Sequence, residues 1–151
     1  TDIGAINSQE QLERIKVLVD AGNEEGAKCW QSGQRLPRKG FWFKPTIFTE
    51  CAQSHRIVQK EIFGPVLAIQ TFRTPEEAVE KANNTPYGLS GGVWTDKGSK
   101  IFKITSQIRA GVLWANTFNK FDPGSPFGGY KESGIGREGG LQGLASYLDL
   151  H

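Results

Sequence analysis

Cys51 and His55 stand four residues apart in "TECAQSHRIV". On a helix that spacing sets a thiol beside an imidazole, and a thiolate–imidazolium pair is a nucleophile. The segment has no glycines for an oxyanion hole, and no third, orienting residue can be named. A structural or incidental cysteine is the plainer reading. Cys29, in the strand-like "AKCWQ", reads as a small core residue. A second candidate is "SGIGREGG", where Gly134, Gly136 and Gly139 keep the G-x-G-x-x-G spacing of loops that cradle a pyrophosphate. Such a fingerprint must follow a strand, open a helix and meet an acid about 20 positions on. Here it follows the turn-like "FGGYKE", and the tail acid, Asp149, comes too early. Glycines for tight turns ahead of a final helix, "LQGLASYL", explain the segment better.

Glu61 in "KEIFGPV" lies between a polar stretch and an apolar run. A carboxylate accepts well from vicinal hydroxyls such as those of a ribose, and Phe63, two residues on, offers a ring to a flat heterocycle. "NTFNKFDPGSPFGG" sets Phe118, Phe121 and Phe127 among polar residues and glycines. Aromatics on a loop can wall an apolar substrate tunnel; plugging the rim of the core is the equal alternative.

These candidates need elements to hold them. "SQEQLERIKVLVDAG" reads as a helix, with Ser8 as cap and Gln11 completing a capping box. Leu12, Ile15 and Val19 form its apolar stripe, with Leu18 beside it, and Gly22 is placed to stop it. Short extended pieces follow. Then comes a rhythm of strand (66–72), helix "TPEEAVEKAN" with Thr74 as cap, strand (89–95), helix "DKGSKIFKITSQI" and strand (111–116). That order predicts an α/β fold with a mostly parallel sheet and crossover helices. Ligands of such sheets gather at the carboxyl ends of the strands.

The chain has 151 residues and a net charge of +2, enough for one domain and no pattern for nucleic acid. No apolar run is long enough to span a membrane, and the N-terminus has no signal-peptide pattern. Two cysteines make neither a disulfide scaffold nor a metal-ligand pattern, so no metal site is assigned and a reducing, cytoplasmic setting is expected. Met is absent, which fits either removal of a first residue or a chain cut from a longer one.

Four segments in order resemble the aldehyde dehydrogenase superfamily: "GFWFKPTIF", "KEIFGPV", "ANNTPYGLSGGVWT" and "PFGGYKESGIGREGG". The resemblance covers almost the whole chain and implies the C-terminal part of an aldehyde dehydrogenase catalytic domain over residues 1–151. The cofactor-cradling domain and the nucleophile segment would precede it. It implies that Glu61 takes the ribose hydroxyls beside the nicotinamide of NAD or NADP, that Phe63 lies against the nicotinamide, and that Gln11 makes a weaker cofactor contact. Asn119, Phe121 and Phe127 would line the aldehyde tunnel. Lys60 departs from the family's usual acid before the motif glutamate.

Family members attack the aldehyde with a cysteine thiolate, pass hydride from the hemithioacetal to the nicotinamide, and hydrolyse the thioester with glutamate-activated water. Neither Cys29 nor Cys51 sits in a segment resembling the nucleophile loop, so no residue of this chain is assigned a catalytic role. The expectation is part of an NAD(P)-dependent enzyme acting on an aldehyde substrate as a homo-oligomer, with no nucleic acid or membrane partner. The chain alone is expected to be inactive. A non-catalytic assembly module derived from the same family stays open as an alternative, as does a small hydrolase built on Cys51 and His55.

Overall fold

The computed structural model describes residues 3–149. In chain order the elements are α1 (Gln9–Glu24), β1 (Lys28–Gln31), β2 (Thr46–Thr49), α2 (Arg56–Gln59), β3 (Val66–Ala68), α3 (Pro75–Asn83), β4 (Tyr87–Gly88), β5 (Ser90–Val93), α4 (Gly98–Thr105), β6 (Val112–Ala115), β7 (Tyr130–Lys131) and α5 (Gly140–Ala145). The chain is α/β and divides into two compact units, Thr1–Phe72 and Arg73–His151.

In the first unit α1 begins where the Ser8 hydroxyl accepts the Gln11 backbone N–H at 3.1 Å. Leu12, Ile15 and Val19 are buried, as the stripe predicts. The helix does not stop at Gly22. It runs on to Glu24, and Gly26, at φ +88°, turns the chain. Gly22 is glycine for a different reason: a Cβ there would meet the Ile57 side chain at 2.9 Å and the Phe48 ring at 3.1 Å. The core gathers Ile15, Val19, Ala27, Phe48, Ile57 and Ile62.

The sheet of this unit runs β1-β2-β3, with β1 antiparallel and β3 parallel to the central β2. Thr46 and Phe48 of β2 are almost fully buried. The Thr46 hydroxyl keeps both hydrogen-bonding functions satisfied, accepting from Gln31 Nε2 and donating to the Lys44 carbonyl. The strand expected over 66–72 ends at Ala68. Its partner gives out: β2 stops at Thr49 and Glu50 turns left-handed at φ +55°. The short α2 lacks a side-chain cap of its own. Glu25 supplies one, accepting from the Arg56 backbone N–H and from Arg56 Nε, both at 2.7 Å.

In the second unit β5 and β6 pair in parallel, Ser90 opposite Val112 through Val93 opposite Ala115, and α4 makes the crossover between them. β4 and β7 pair antiparallel. The regular rhythm of the sequence therefore resolves into two sheets. The strand before α3, β3, pairs with β2, whereas β5 pairs with β6. No described helix is long and apolar enough to cross a membrane.

At the start of α3 the Thr74 hydroxyl accepts the Glu77 backbone N–H at 3.2 Å. The Glu77 carboxylate meets Lys81 at 2.8 Å and Arg73 at 3.2 Å. The Lys81 ammonium, then the Arg73 backbone N–H and guanidinium, pull Glu77 from its ordinary 4.5 down to about 2. A depressed acid contributes stability that is whole above its unfolded value and is lost as pH falls through its folded value. Glu77→Gln should therefore flatten the fall in thermal stability between pH 4.5 and pH 2. Circular dichroism melts of both proteins across that window test this; parallel curves would refute it.

Candidate functional site

The segment after α2 is organised around Ile62. Ile62 takes the inward place, packed in the core of the first unit. Glu61 and Phe63 are exposed on either side of it. The Glu61 carboxylate has no hydrogen-bond or ion-pair partner among the described residues. The Phe63 ring is 72% exposed, and its backbone lies at φ +53°. Left-handed backbone costs a side-chain-bearing residue roughly 1–2 kcal/mol, and such strain gathers at ligand sites. Gly64 follows because the chain passes tight over α1, where a Cβ would stand 2.6 Å from Ile15 Cδ1.

Gln11 belongs to the same group, but not as the capping box predicts. Its side chain does not reach back to the N-cap. Its Nε2 donates to the carbonyls of Ile62 at 2.9 Å and Phe63 at 3.0 Å. Tertiary partners outcompete the local one, because those two carbonyls have no strand partner. The fold thus brings Gln11 to the Ile62–Phe63 backbone beside Glu61, 51 and 52 residues further along the chain.

The second group lies in the second unit, at the carboxyl ends of β5 and β6. Asn116, at φ +54°, closes those ends. Its Oδ1 accepts the Thr95 N–H at 2.9 Å and its Nδ2 donates to the Thr95 carbonyl at 3.0 Å. From there the loop carries a ladder of rings. Phe118 sits 4.8 Å from Trp114, Trp114 lies 5.5 Å from Phe121, and Phe121 lies 5.1 Å from Phe127, all edge-to-face. Trp94 stacks on Phe118 at 6.4 Å. Phe121 stays 61% exposed, so the ladder presents an apolar wall as well as filling space. Asn119 lies on the loop between, exposed and at φ +54°, with no described partner for its carboxamide.

Sequence reasoning missed Trp94 and Trp114. Trp114 is the ladder's buried post, and its Nε1 donates to the Lys120 carbonyl at 2.9 Å, folding the loop back on the strand. The available signal was "GGVW": Gly92 stands opposite Trp114 in the pairing, and a Cβ on it would lie 2.7 Å from the Trp94 ring. Small residues beside large rings mark a packed aromatic cluster.

The glycines of "PFGGYKESGIGREGG" serve turns and backbone contact. A Cβ on Gly111 would fall 1.6 Å from the Gly128 carbonyl oxygen, and one on Gly128 would fall 2.1 Å from that of Gly136. Phe127 and Glu138 exchange both backbone hydrogen bonds at 2.7 Å, which fixes the end of the ring ladder. Arg137 Nη1 ties the Gly129 and Gly136 carbonyls together at 2.8 Å each, with its guanidinium 5.0 Å from the Tyr130 ring centre. Gly134, at φ +108°, closes the turn after β7, and Gly139 caps α5.

Cys51 and His55 do not form a nucleophilic pair. Cys51 precedes α2 and packs on the core, while His55 is the helix N-cap, so the helical spacing never applies. His55 Nδ1 accepts the Ala52 N–H at 3.3 Å. Burial pushes the Cys51 thiol up, away from thiolate, although the Ile69 backbone N–H acts the other way. Cys29 lies in β1 as expected but is exposed, not core: the side chains of this edge strand all face solvent. No three His, Cys, Asp or Glu among the described residues stand together as metal ligands would.

The sequence model of the aldehyde dehydrogenase family matches residues 1–151. Betaine aldehyde dehydrogenase of Bacillus subtilis (strain 168) is 42% identical over 154 residues, covering 99% of this chain and 31% of that protein. The crystal structure of betaine aldehyde dehydrogenase from Staphylococcus aureus in complex with NAD+ superposes with a TM-score of 0.92 at 39% identity, over 99% of this chain and 30% of that one. Indole-3-acetaldehyde dehydrogenase complexed with NAD+ gives a TM-score of 0.94 at 39% identity, over 100% of this chain and 31% of that one. The chain spans about 30% of the length of the relatives it matches.

Trp114→Phe keeps a ring in the ladder and deletes the bond to Lys120. A net hydrogen bond of about 1 kcal/mol corresponds to roughly fivefold. Amide exchange over residues 117–121 should quicken by about that factor. Unchanged exchange there would mean that the loop is held by other contacts.

Proposed function

The chain belongs to the aldehyde dehydrogenase family, and from that premise we propose that the protein carrying it oxidises an aldehyde to a carboxylic acid with NAD+ or NADP+. The observation that carries this reading is the Glu61–Phe63 segment. One buried anchor, Ile62, turns a free carboxylate and a free ring out side by side.

The two carboxylate oxygens of Glu61 suit the two vicinal hydroxyls of a ribose, and the Phe63 ring suits the face of a pyridine base. That acceptor and ring set fits the nicotinamide riboside common to both coenzymes. When bound, nicotinamide supplies the hydride acceptor. Two relatives of similar structure are complexes with NAD+, which supports the reading. Glu61 holds the sugar and Phe63 limits how the base can tilt. Position, rather than proton transfer, is their contribution.

Phe121 and Phe127 give the aldehyde an apolar wall, and the Asn119 carboxamide offers the polar contact beside it. The bond-making groups lie outside this chain: a cysteine thiolate that adds to the aldehyde, and a glutamate that activates water against the thioester. Overall, aldehyde, water and NAD+ give acid, NADH and a proton. Exposed apolar side chains such as Phe102, Leu141 and Tyr147 provide surface for the rest of the protein or for a second copy, in keeping with a homo-oligomer.

The assay is NADH formation by the complete enzyme. A hydrogen bond to a charged group contributes about 1.5–3 kcal/mol, or roughly 10- to 100-fold. Glu61→Gln should raise the KM for NAD+ by about that much while the KM for aldehyde holds. Phe121→Ala should do the opposite, raising the aldehyde KM roughly fivefold through lost apolar contact. The isolated chain should form no NADH. An unchanged coenzyme KM in both Glu61→Gln and Phe63→Ala would end this reading, as would turnover by the isolated chain.

A further inference from the structure

We infer that Gln11 is a positioning residue for the coenzyme site: it acts on the coenzyme through the backbone of Ile62 and Phe63. The inference rests on the reading of Glu61 and Phe63 as coenzyme contacts. It assigns Gln11 a different part from the direct contact that family resemblance implies.

The geometry is specific. Gln11 Nε2 donates to two consecutive carbonyls, Ile62 at 2.9 Å and Phe63 at 3.0 Å. In extended chain consecutive carbonyls point to opposite sides. They converge on one nitrogen only where the chain curls between them, and Phe63, at φ +53°, is that curl. The clamp and the left-handed residue are therefore one arrangement. Phe63 is a poor occupant of that backbone region, where glycine or asparagine is at ease. Something outside the segment must hold it, and Gln11 does so with both of its amide hydrogens. With both amide hydrogens committed to backbone, only its Oε1 is left to meet another group.

Gln11 is itself fixed. Its backbone N–H is capped by Ser8, and the next residues toward the core, Leu12 and Ile15, are buried. Ile15 also forms the floor over which Gly64 passes. The first two turns of α1 thus grip the segment at and after Phe63: Gln11 at the carbonyls, Ile15 beneath the following glycine. Glu61 is one residue from the clamped peptide, so its direction is set by the same grip.

The test is a double-substitution cycle in the complete enzyme, read as the Kd for NAD+. Gln11→Glu is isosteric but turns an oxygen toward both carbonyls; loss of two hydrogen bonds should weaken NAD+ binding about tenfold. Gln11→Lys restores a donor and should recover most of that loss. Gln11→Glu combined with Glu61→Gln should weaken binding by less than the two single losses added together, because Gln11 acts in part through Glu61. Full additivity would mean that Gln11 touches the coenzyme directly and would overturn the proposal. A crystal structure of Gln11→Glu gives the second readout: Phe63 should leave the left-handed region, and its staying there would equally overturn the proposal. If Glu61→Gln itself leaves NAD+ binding unchanged, the coenzyme reading fails instead, and the Phe63 backbone in that crystal still decides whether Gln11 positions the segment. Should Gln11→Glu fail to fold, Gln11→Ala carries the same comparison.

Discussion

Burial of Ile62 beneath α1 is the constraint on which the candidate coenzyme site depends. The core of the first unit has a place for one apolar side chain between α2 and β3, and Ile62 fills it. Once that side chain is committed inward, its two neighbours are left exposed on either side of it. A free carboxylate and a free ring then stand on the surface without any force acting on either directly. The buried residue contributes stability, and its neighbours are held in place by it. Gly64 and the Gln11 clamp complete the arrangement, because a chain that curls at Phe63 must pass close to α1 and must have its carbonyls satisfied.

The second unit reaches a similar end by different means. Its candidate site is a ladder of rings and not an alternating strand. Edge-to-face packing joins Phe118, Trp114, Phe121 and Phe127 into one surface, an arrangement favoured by the ring quadrupoles. Both ends are anchored in backbone. Asn116 ties off β5 and β6 at one end, and the paired hydrogen bonds of Phe127 and Glu138 tie the other. The glycines matter through what they lack. At Gly111 and Gly128 carbonyl oxygens occupy the space a β-carbon would need.

Charged groups contribute locally. Glu25 caps α2 from a different element, and Glu77 sits at the positive end of α3 between two cations. Glu25 supplies the cap that α2 lacks, and Glu77 accepts the Arg73 backbone N–H just ahead of α3. Neither belongs to a candidate site.

Much of this was legible in the sequence, because local rules act over a few residues. The Ser8 and Thr74 caps, the apolar stripe of α1 and the α/β order all follow from spacing and residue type. The α1 stop was misplaced because Gly22 and Gly26 look alike in sequence. Only packing against Ile57 and Phe48 distinguishes a glycine that makes room from one that turns the chain. Gln11 fits a capping box by spacing, yet its amide goes to carbonyls fifty residues away. Cys51 and His55 looked paired only on the assumption of a helix that begins after them. What the residues determined alone was which groups were available and which local turns they favoured. Tertiary structure decided which of them meet, since a hydrogen bond or a close contact depends on distance in space, and that distance is set by the burial of residues elsewhere in the chain.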